Sequence, residues 1–507
     1  MALAHRAKVK DPAKAFISTW RTSTVYTGST ANNQIKLPLM VDGLYKFTVQ
    51  WGDTTSNLIT VWNQAETTHT YPVPGDYTVT ITGFIKGWDW GGGGTVAPVT
   101  GDMRKLLTVT QFGCLRLVDK AGSTLIWGAF YGCTNLNLTA VQDMPNFKGT
   151  TSTLGFLRGC TAITTVNNIN KWDVSKIQVF RSMLREMTLF DDNIGNWNTA
   201  NATNFVALFL ASTTTTIVGN FNNGGSDSIK NWNTSNVLSM DNTFRNQSKF
   251  NQEIGLWDVS KVTSFASMLA VPATPFGLLG VFNNAGSPSI NNWNTSNVTT
   301  MSSMFTGQRF FNQPIGNWNT SNVTTMAQLF YGSFVQNYPG SFNQDISNWN
   351  TSNVTNMQTM FYHQPNFNQN IGNWDVSKVT TMTFMFYAIN TAPGNFNNAG
   401  SNSINNWNTS LVTNMNNMFT RQIGFNQPID NWNVSLATDL GFFMSGKTFT
   451  DYTTANYDAL LIGWASRPVK PNISINFGTI KRTAASTAAR LVLTSAPNNW
   501  TIVDGGI

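Results

Sequence analysis

Charge is scarce in this chain. Asp, Glu, Lys and Arg make up 11% of its 507 residues, against about a quarter in ordinary soluble domains. Polarity comes instead from Asn, Thr, Ser and Gly. The net charge of +7 gathers at the ends, in Arg6, Lys8, Lys10, Lys14 and Arg21, and again in Arg467, Lys470, Lys481, Arg482 and Arg490. A nucleic-acid binder needs a basic stripe along its working face, so no nucleic-acid partner is expected. The basic start, with Arg6, Lys8, Lys10 and Lys14, reads as a solubility device or an anchoring arm for an acidic partner. There are only three histidines, His5, His69 and His363. None has a neighbour at metal-ligand or triad spacing. His69 reads as structural and His363 as a surface residue. Three cysteines do not make a disulfide framework. Cys133 and Cys160 fall at equivalent points of adjacent units and read as buried free thiols. No run reaches the 18 or so apolar residues of a membrane span. No apolar core follows the basic N-terminus, so it does not read as a secretory signal peptide. These absences argue against an enzyme, a metal or a cofactor, and none of the three is expected.

What is present is β-patterned at the start and repetitive afterwards. Residues 1–15 read as the basic arm. In residues 16–90, Gly43 to Trp51 alternates apolar and polar residues, the period of a half-buried strand. Thr68 to Tyr71 and Asp76 to Ile81 are two further strands, joined through Pro72, Pro74 and Gly75. Short strands at this spacing predict an antiparallel β-sandwich. The strings Trp51-Gly52-Asp53, Thr68-His69-Thr70-Tyr71 and Pro74-Gly75-Asp76-Tyr77-Thr78-Val79 resemble the PKD-like immunoglobulin-type domain. That resemblance implies a spacer or binding module. Residues 91–162 read as a linker, beginning with the run Gly91–Gly94, followed by degenerate capping repeats. Gly91–Gly94 lacks the Lys and Ser/Thr of a phosphate loop.

A regular array spans residues 163–445. Its markers are Trp172, Trp197, Trp232, Trp257, Trp293, Trp318, Trp349, Trp374, Trp407 and Trp432, separated by 25, 35, 25, 36, 25, 31, 25, 33 and 25 residues. A fixed period of this size marks a solenoid. Ile stands three positions before every one of these Trp, and Ser three positions after all but one. Val, Met and Phe follow, as in Val323, Met326 and Phe330. The Ser is expected to cap a short helix carrying that apolar face. The Ile-x-x-Trp segment is expected to be extended. The Asn residues flanking each Trp, such as Asn317 and Asn319, are expected to form ladders between rungs. Recurrence with Ile, Met and Phe makes the Trp column core rather than a carbohydrate platform. Asp173, Asp258 and Asp375 fit turn caps, and Asp191-Asp192 stands out as a local oddity. Residues 446–507, with an amphipathic segment at 455–464 and another at 483–493, read as a C-terminal α/β cap.

The unit Phe-Asn-Gln-x-Ile-x-x-Trp-Asn/Asp-x-Ser-x-Val-Thr-x-Met-x-x-Met-Phe resembles the BspA-type leucine-rich repeat surface proteins, known also by their DUF285 repeats. The resemblance implies a leucine-rich-repeat-type solenoid, display outside the cell, and adhesion rather than catalysis. Every second unit is longer, with insertions at 212–227, 271–288, 333–340 and 388–402. Insertions at one point of a coil emerge on one edge. They nominate Thr213, Thr214, Thr215, Pro272, Pro275, Phe276, Phe334, Tyr338, Pro339 and Pro393 as contact residues. Two readings follow. The first is a structural or recognition component of a virion, such as a phage fibre or capsid decoration, with attachment as its role. The second is a bacterial cell-surface adhesin for a host protein or glycan. Either places the chain on a virion surface or outside a cell. The expected partners are other structural proteins at the N-terminal arm and sandwich and a host-surface protein or glycan at the solenoid. Homo-oligomerisation is compatible with both.

Overall fold

A computed structural model describes residues 14–90, 101–117, 128–212, 217–272, 279–332 and 339–507. Arg6, Lys8, Lys10 and the Gly91–Gly94 run lie outside them; Lys14 is exposed. The chain forms two compact units, one from Met1–Ser212 with Gly219–Asn236, the other from Thr213–Val218 with Val237–Ile507.

Among its described residues the first unit begins with eight strands: β1 (Phe16–Arg21), β2 (Gln34–Lys36), β3 (Leu39–Gln50), β4 (Ser56–Ile59), β5 (Thr68–Thr70), β6 (Asp76–Trp88), β7 (Leu106–Gln111) and β8 (Leu115–Arg116). Strands β4-β3-β6-β1-β7 form an antiparallel sheet, β8 runs parallel to β6, and β2 pairs separately with β5. Alternation decides the faces. Phe47 and Val49 are buried while Lys46 and Gln50 face solvent. Phe16, Trp20, Val79, Ile81 and Ile85 complete the buried face. Gly83 sits at φ 120, and a Cβ there would meet the Lys46 carbonyl at 2.5 Å, so only glycine admits the crossing of β3. His69 stacks on Trp51 at 4.7 Å and pairs with Asp53 at 2.7 Å. The Tyr71 hydroxyl donates to the Trp51 carbonyl. The Thr-His-Thr-Tyr segment is therefore packed scaffold. Cys133 and Cys160 are buried and free. Burial pushes both thiols up, which keeps them protonated and unreactive.

The repeats follow. In the first unit, Trp197 stacks on Trp172 at 6.3 Å and on Trp232 at 6.2 Å. In the second unit, parallel bridges link Ser239, Ser264, Thr300, Thr325, Asn356, Thr381, Asn414 and Asp439 in succession. Each of these residues stands seven positions after its Trp. Each Trp is almost fully buried, and from Trp293 to Trp432 each indole N–H donates to the carbonyl of the Ile in the preceding repeat. Trp318 donates to Ile290 at 2.8 Å, Trp349 to Ile315 at 3.0 Å and Trp432 to Ile404 at 2.9 Å. One side chain thus fills the core and ties a backbone group of the neighbouring repeat. A second aromatic column runs through Phe250, Phe282, Phe311, Phe342, Phe367, Phe396, Phe425 and Tyr452, with centroids 5.9 to 6.2 Å apart.

Three local expectations are corrected. The segment after the Ser is not helical. Leu329 N–H bonds to Met326, but Gln328 N–H bonds across to Gln358 of the next repeat. The residue ten positions after every Trp is left-handed: Ser303 at φ 58, Gln328 at φ 61, Thr359 at φ 54. A right-handed helix cannot pass through that residue. Steps of three arise here from successive tight turns. Nor is Ile-x-x-Trp extended. It closes a turn in which the Trp318 N–H reaches the Ile315 carbonyl at 3.2 Å, and in several repeats it is a short 3₁₀ helix. Finally, the Asn after each Trp caps its own turn, as Asn319 does for the Ser321 N–H. Beside the Trp, Asn317 N–H does donate to Asn291 and Asn431 N–H to Asn405, both at 3.0 Å. The Asn322 and Asn353 amides reach the Ser296 and Ser321 carbonyls of the preceding repeat. A further ladder is carried by the Asn after the Phe. Asn312 N–H donates to Asn283, Asn343 to Asn312, Asn368 to Asn343, Asn397 to Asn368 and Asn426 to Asn397, all at 2.7 to 3.0 Å.

The second unit closes with α1 (Thr454–Ala465), β9 (Ser474–Asn476), α2 (Thr487–Thr494) and β10 (Thr501–Val503). Leu440 bridges Ile475 in parallel, and β10 runs parallel to β9. Thr453 caps α1 by accepting from the Asn456 N–H, and its own N–H takes the next place on the Asn ladder, bonded to Asn426. Trp464 on α1 donates its indole N–H to Ile429, so the tryptophan register extends one step into the cap.

Candidate functional site

The nominated contact residues sit in the long units. Thr213, Thr214, Thr215, Pro275, Phe276, Phe334 and Tyr338 lie outside the described residues. Pro272 and Pro339 are half-buried and Pro393 is exposed. What the described residues reveal is how these insertions are held. In the second unit, Gln308, Gln364 and Gln422 stand fifteen positions after the Trp of a short repeat. All three are buried. The Gln308 carbonyl oxygen accepts from the Phe282 N–H at 2.8 Å, Gln364 from Phe342 at 3.1 Å and Gln422 from Phe396 at 3.1 Å. The same amides donate to the carbonyls of Leu269, Phe330 and Phe386. Each Gln therefore grips both stems of one insertion, the outgoing stem through its N–H₂ and the returning stem through its oxygen.

A glycine completes each grip. Gly280, Gly340 and Gly394 stand two residues before the returning Phe, and a Cβ on any of them would lie 2.0 to 2.1 Å from the Gln amide. Their N–H groups bond to Gly307, His363 and Arg421 at 3.0 to 3.1 Å. Three insertions of different length and sequence thus leave and rejoin the array at equivalent points. The sequence did carry this signal, in a Gln at a fixed distance from alternate Trp and a Gly two before alternate Phe. The Trp-centred reading passed over it.

The recurring string Phe-Asn-Asn-Ala/Gly-Gly-Ser, counted with the loops in the sequence, is part of the scaffold. Asn284 is buried; its amide oxygen accepts from Ile254 N–H, and its N–H₂ donates to Ser287 and Ser289. Asn251 accepts from the N–H groups of both Asn283 and Ala285. Asn284, Ala285 and Gly286 are all left-handed, at φ 50, 52 and 80. Gly224 fills the Ala285 position in an equivalent string at φ 60. Ala285→Gly is expected to raise the unfolding free energy by about 0.5–1 kcal/mol, left-handed strain relieved less the extra freedom of the unfolded chain. Urea denaturation of the intact chain measures it, and a loss of stability contradicts the strain assignment.

The oddity at Asp191-Asp192 resolves in the same way. Asp191 takes the ladder place of an Asn, accepting from the N–H groups of Asn222 and Gly224. Asp192 accepts from Val166 N–H, and burial raises its carboxyl above the usual range. Asp173, Asp258 and Asp375 accept from the Ser two residues on, and those bonds hold their carboxyls low. His363 is buried, not a surface residue. It is left-handed at φ 55, and Gly332 and Gly340, near the ends of the adjoining insertion, pack on or bond to it. Among the described residues, no group of three His, Cys, Asp or Glu could hold a metal ion, and no helix is long and apolar enough to cross a membrane.

A family model described as "Mycoplasma protein of unknown function, DUF285" matches residues 128–221, 151–277, 276–399 and 391–461. No curated protein and no solved structure matches the chain.

Proposed function

The chain belongs to the DUF285 family, and on that premise we propose that it is a non-enzymatic, surface-displayed recognition protein of the BspA type. Its array is a leucine-rich-repeat-type solenoid, its N-terminal sheet a PKD-like spacer, and the loop edge its contact surface for a host protein or glycan. The observation that carries this reading is the repeated Gln grip. A buried amide fixes both stems of each insertion while leaving the loop between them unconstrained in sequence. Rigid scaffolds that vary their loops are a common solution for recognition. The family membership favours a cell surface over a virion, whose support was the basic arm at Arg6, Lys8, Lys10 and Lys14. Antibody labelling of intact cells, with a cytosolic protein as control, tests the placement. Labelling of whole cells is expected. Signal only after lysis, or recovery of the chain in purified virus particles, overturns it.

A further inference from the structure

Fifteen residues after Trp432, in the last repeat of the array, stands Lys447; the repeats of Trp293, Trp349 and Trp407 carry Gln308, Gln364 and Gln422 at that distance. Lys447 is 1% exposed. Its Nζ donates to the carbonyls of Gln422 and, at 2.8 Å, Phe425, and lies 5.9 Å from the Phe425 ring centroid. Its backbone is where the C-terminal cap attaches. The Lys447 carbonyl accepts from Thr479 N–H at 2.9 Å, Thr448 bridges Thr479, and Gly478 packs so closely that a Cβ would meet the Lys447 carbonyl at 2.2 Å.

The surroundings offer this cation little compensation. Asp451, on the same turn, is engaged by the N–H and hydroxyl of Thr448. From the preceding repeat, Arg421 packs on Gly446 and adds like charge. The strand side, Ser474 to Thr479, carries no ionisable residue. Tyr452 and Tyr457 are held neutral by burial. We propose that Lys447 is a proton-operated latch of the cap, closed when its amine is neutral and loosened when the amine is protonated. Burial lowers the amine from 10.5 to about 7, against the pull of Asp451. The sign follows from that direction. An opened cap returns the amine to its ordinary value, so opening takes up a proton between about pH 7 and 10.5. Closure strengthens as pH rises through that window and is weakest below pH 7.

Hydrogen exchange of the intact chain tests the latch. The amides of Thr479 and Phe477 report the cap, and those of Met326 and Met357 report the body of the array. After correction for base catalysis, protection at the cap amides is expected to rise about tenfold per pH unit between pH 7.5 and 9.5, and to stay flat in the body. K447Q, which removes the titrating amine and keeps a polar side chain, is expected to flatten the cap response. A flat response in the wild type, or an undiminished one in K447Q, overturns the proposal. Should K447Q fail to fold, the ε-carbon resonance of Lys447 in the wild type decides. A titration midpoint between 6 and 8 supports the latch, and one above 9.5 overturns it.

Discussion

Trp349→Ala is expected to lower the unfolding free energy by about 3–5 kcal/mol, the range for removing a large buried aromatic. Trp349 stacks on Trp318 at 6.4 Å and on Trp374 at 6.3 Å, with the Phe330 ring also at 6.3 Å. The cavity therefore faces two neighbouring repeats, and neither can collapse into it without losing its own stacking. The same substitution removes one of the two hydrogen bonds on the Ile315 carbonyl, which keeps the Trp318 backbone N–H. Trp349→Phe separates the two effects. It keeps most of the ring and removes the donor, and should cost about 0.5–1.5 kcal/mol for the lost hydrogen bond, with the volume lost added to it. Guanidinium denaturation followed by tryptophan fluorescence and circular dichroism measures both. A solenoid couples each repeat only to its neighbours, so the alanine variant is also expected to lose the single cooperative transition. If Trp349→Ala costs less than about 1 kcal/mol, the column is a surface feature and its assignment as scaffold fails.

Gln364→Leu is expected to cost about 2–4 kcal/mol, because one apolar replacement leaves two buried backbone groups unpaired. They are the Phe342 N–H and the Phe330 carbonyl. The local consequence matters more. Both stems of the insertion at 333–340 lose their tie, so amide exchange at Gly340 and Phe342 should accelerate while Met385 and Phe419 stay protected. Equal acceleration across the unit would show that the Gln serves general stability and does not position the loop.

The tryptophan register, the invariant Ile and the N-terminal strands could be read from the sequence because each repeats a simple burial rule. Phe47, Val49, Ile81 and Ile315 behave as their periodicity implies. The turns could not. Val323, Met326 and Leu329 step by three in a helix and equally in consecutive tight turns. The feature that separates the two is a left-handed residue, and at that place the chain uses Ser, Ala, Asn, Gln, Thr and Phe, never the glycine that would announce it. Asn is most frequent beside Trp, and part of the bonding between repeats does lie there. A second ladder runs beside Phe, where Asn251, Asn312 and Asn426 share their places with Asp191 and Thr453. Trp464 escaped the register because Leu461 replaces the Ile and a helix replaces the turn. The Gln grips were hidden by the residue itself, since a lone Gln carries no periodic hydrophobic signal and its role depends on two backbone groups far apart in sequence.

If the repeats are scaffold and the gripped loops do the recognising, binding should depend on the loops alone. The direct measurement replaces residues 272–279, 332–339 and 388–393 with Gly-Ser runs of equal length, keeping Gly280, Gly340, Gly394 and the three Gln. Binding of the intact variant to an array of glycans and extracellular-matrix proteins is compared with wild type, alongside its melting temperature. The strongest wild-type signals are expected to fall about tenfold or more, as when contact residues are lost, with melting shifted by only a few degrees. Undiminished binding by a folded variant would contradict that dependence and return the search to the exposed face of the array.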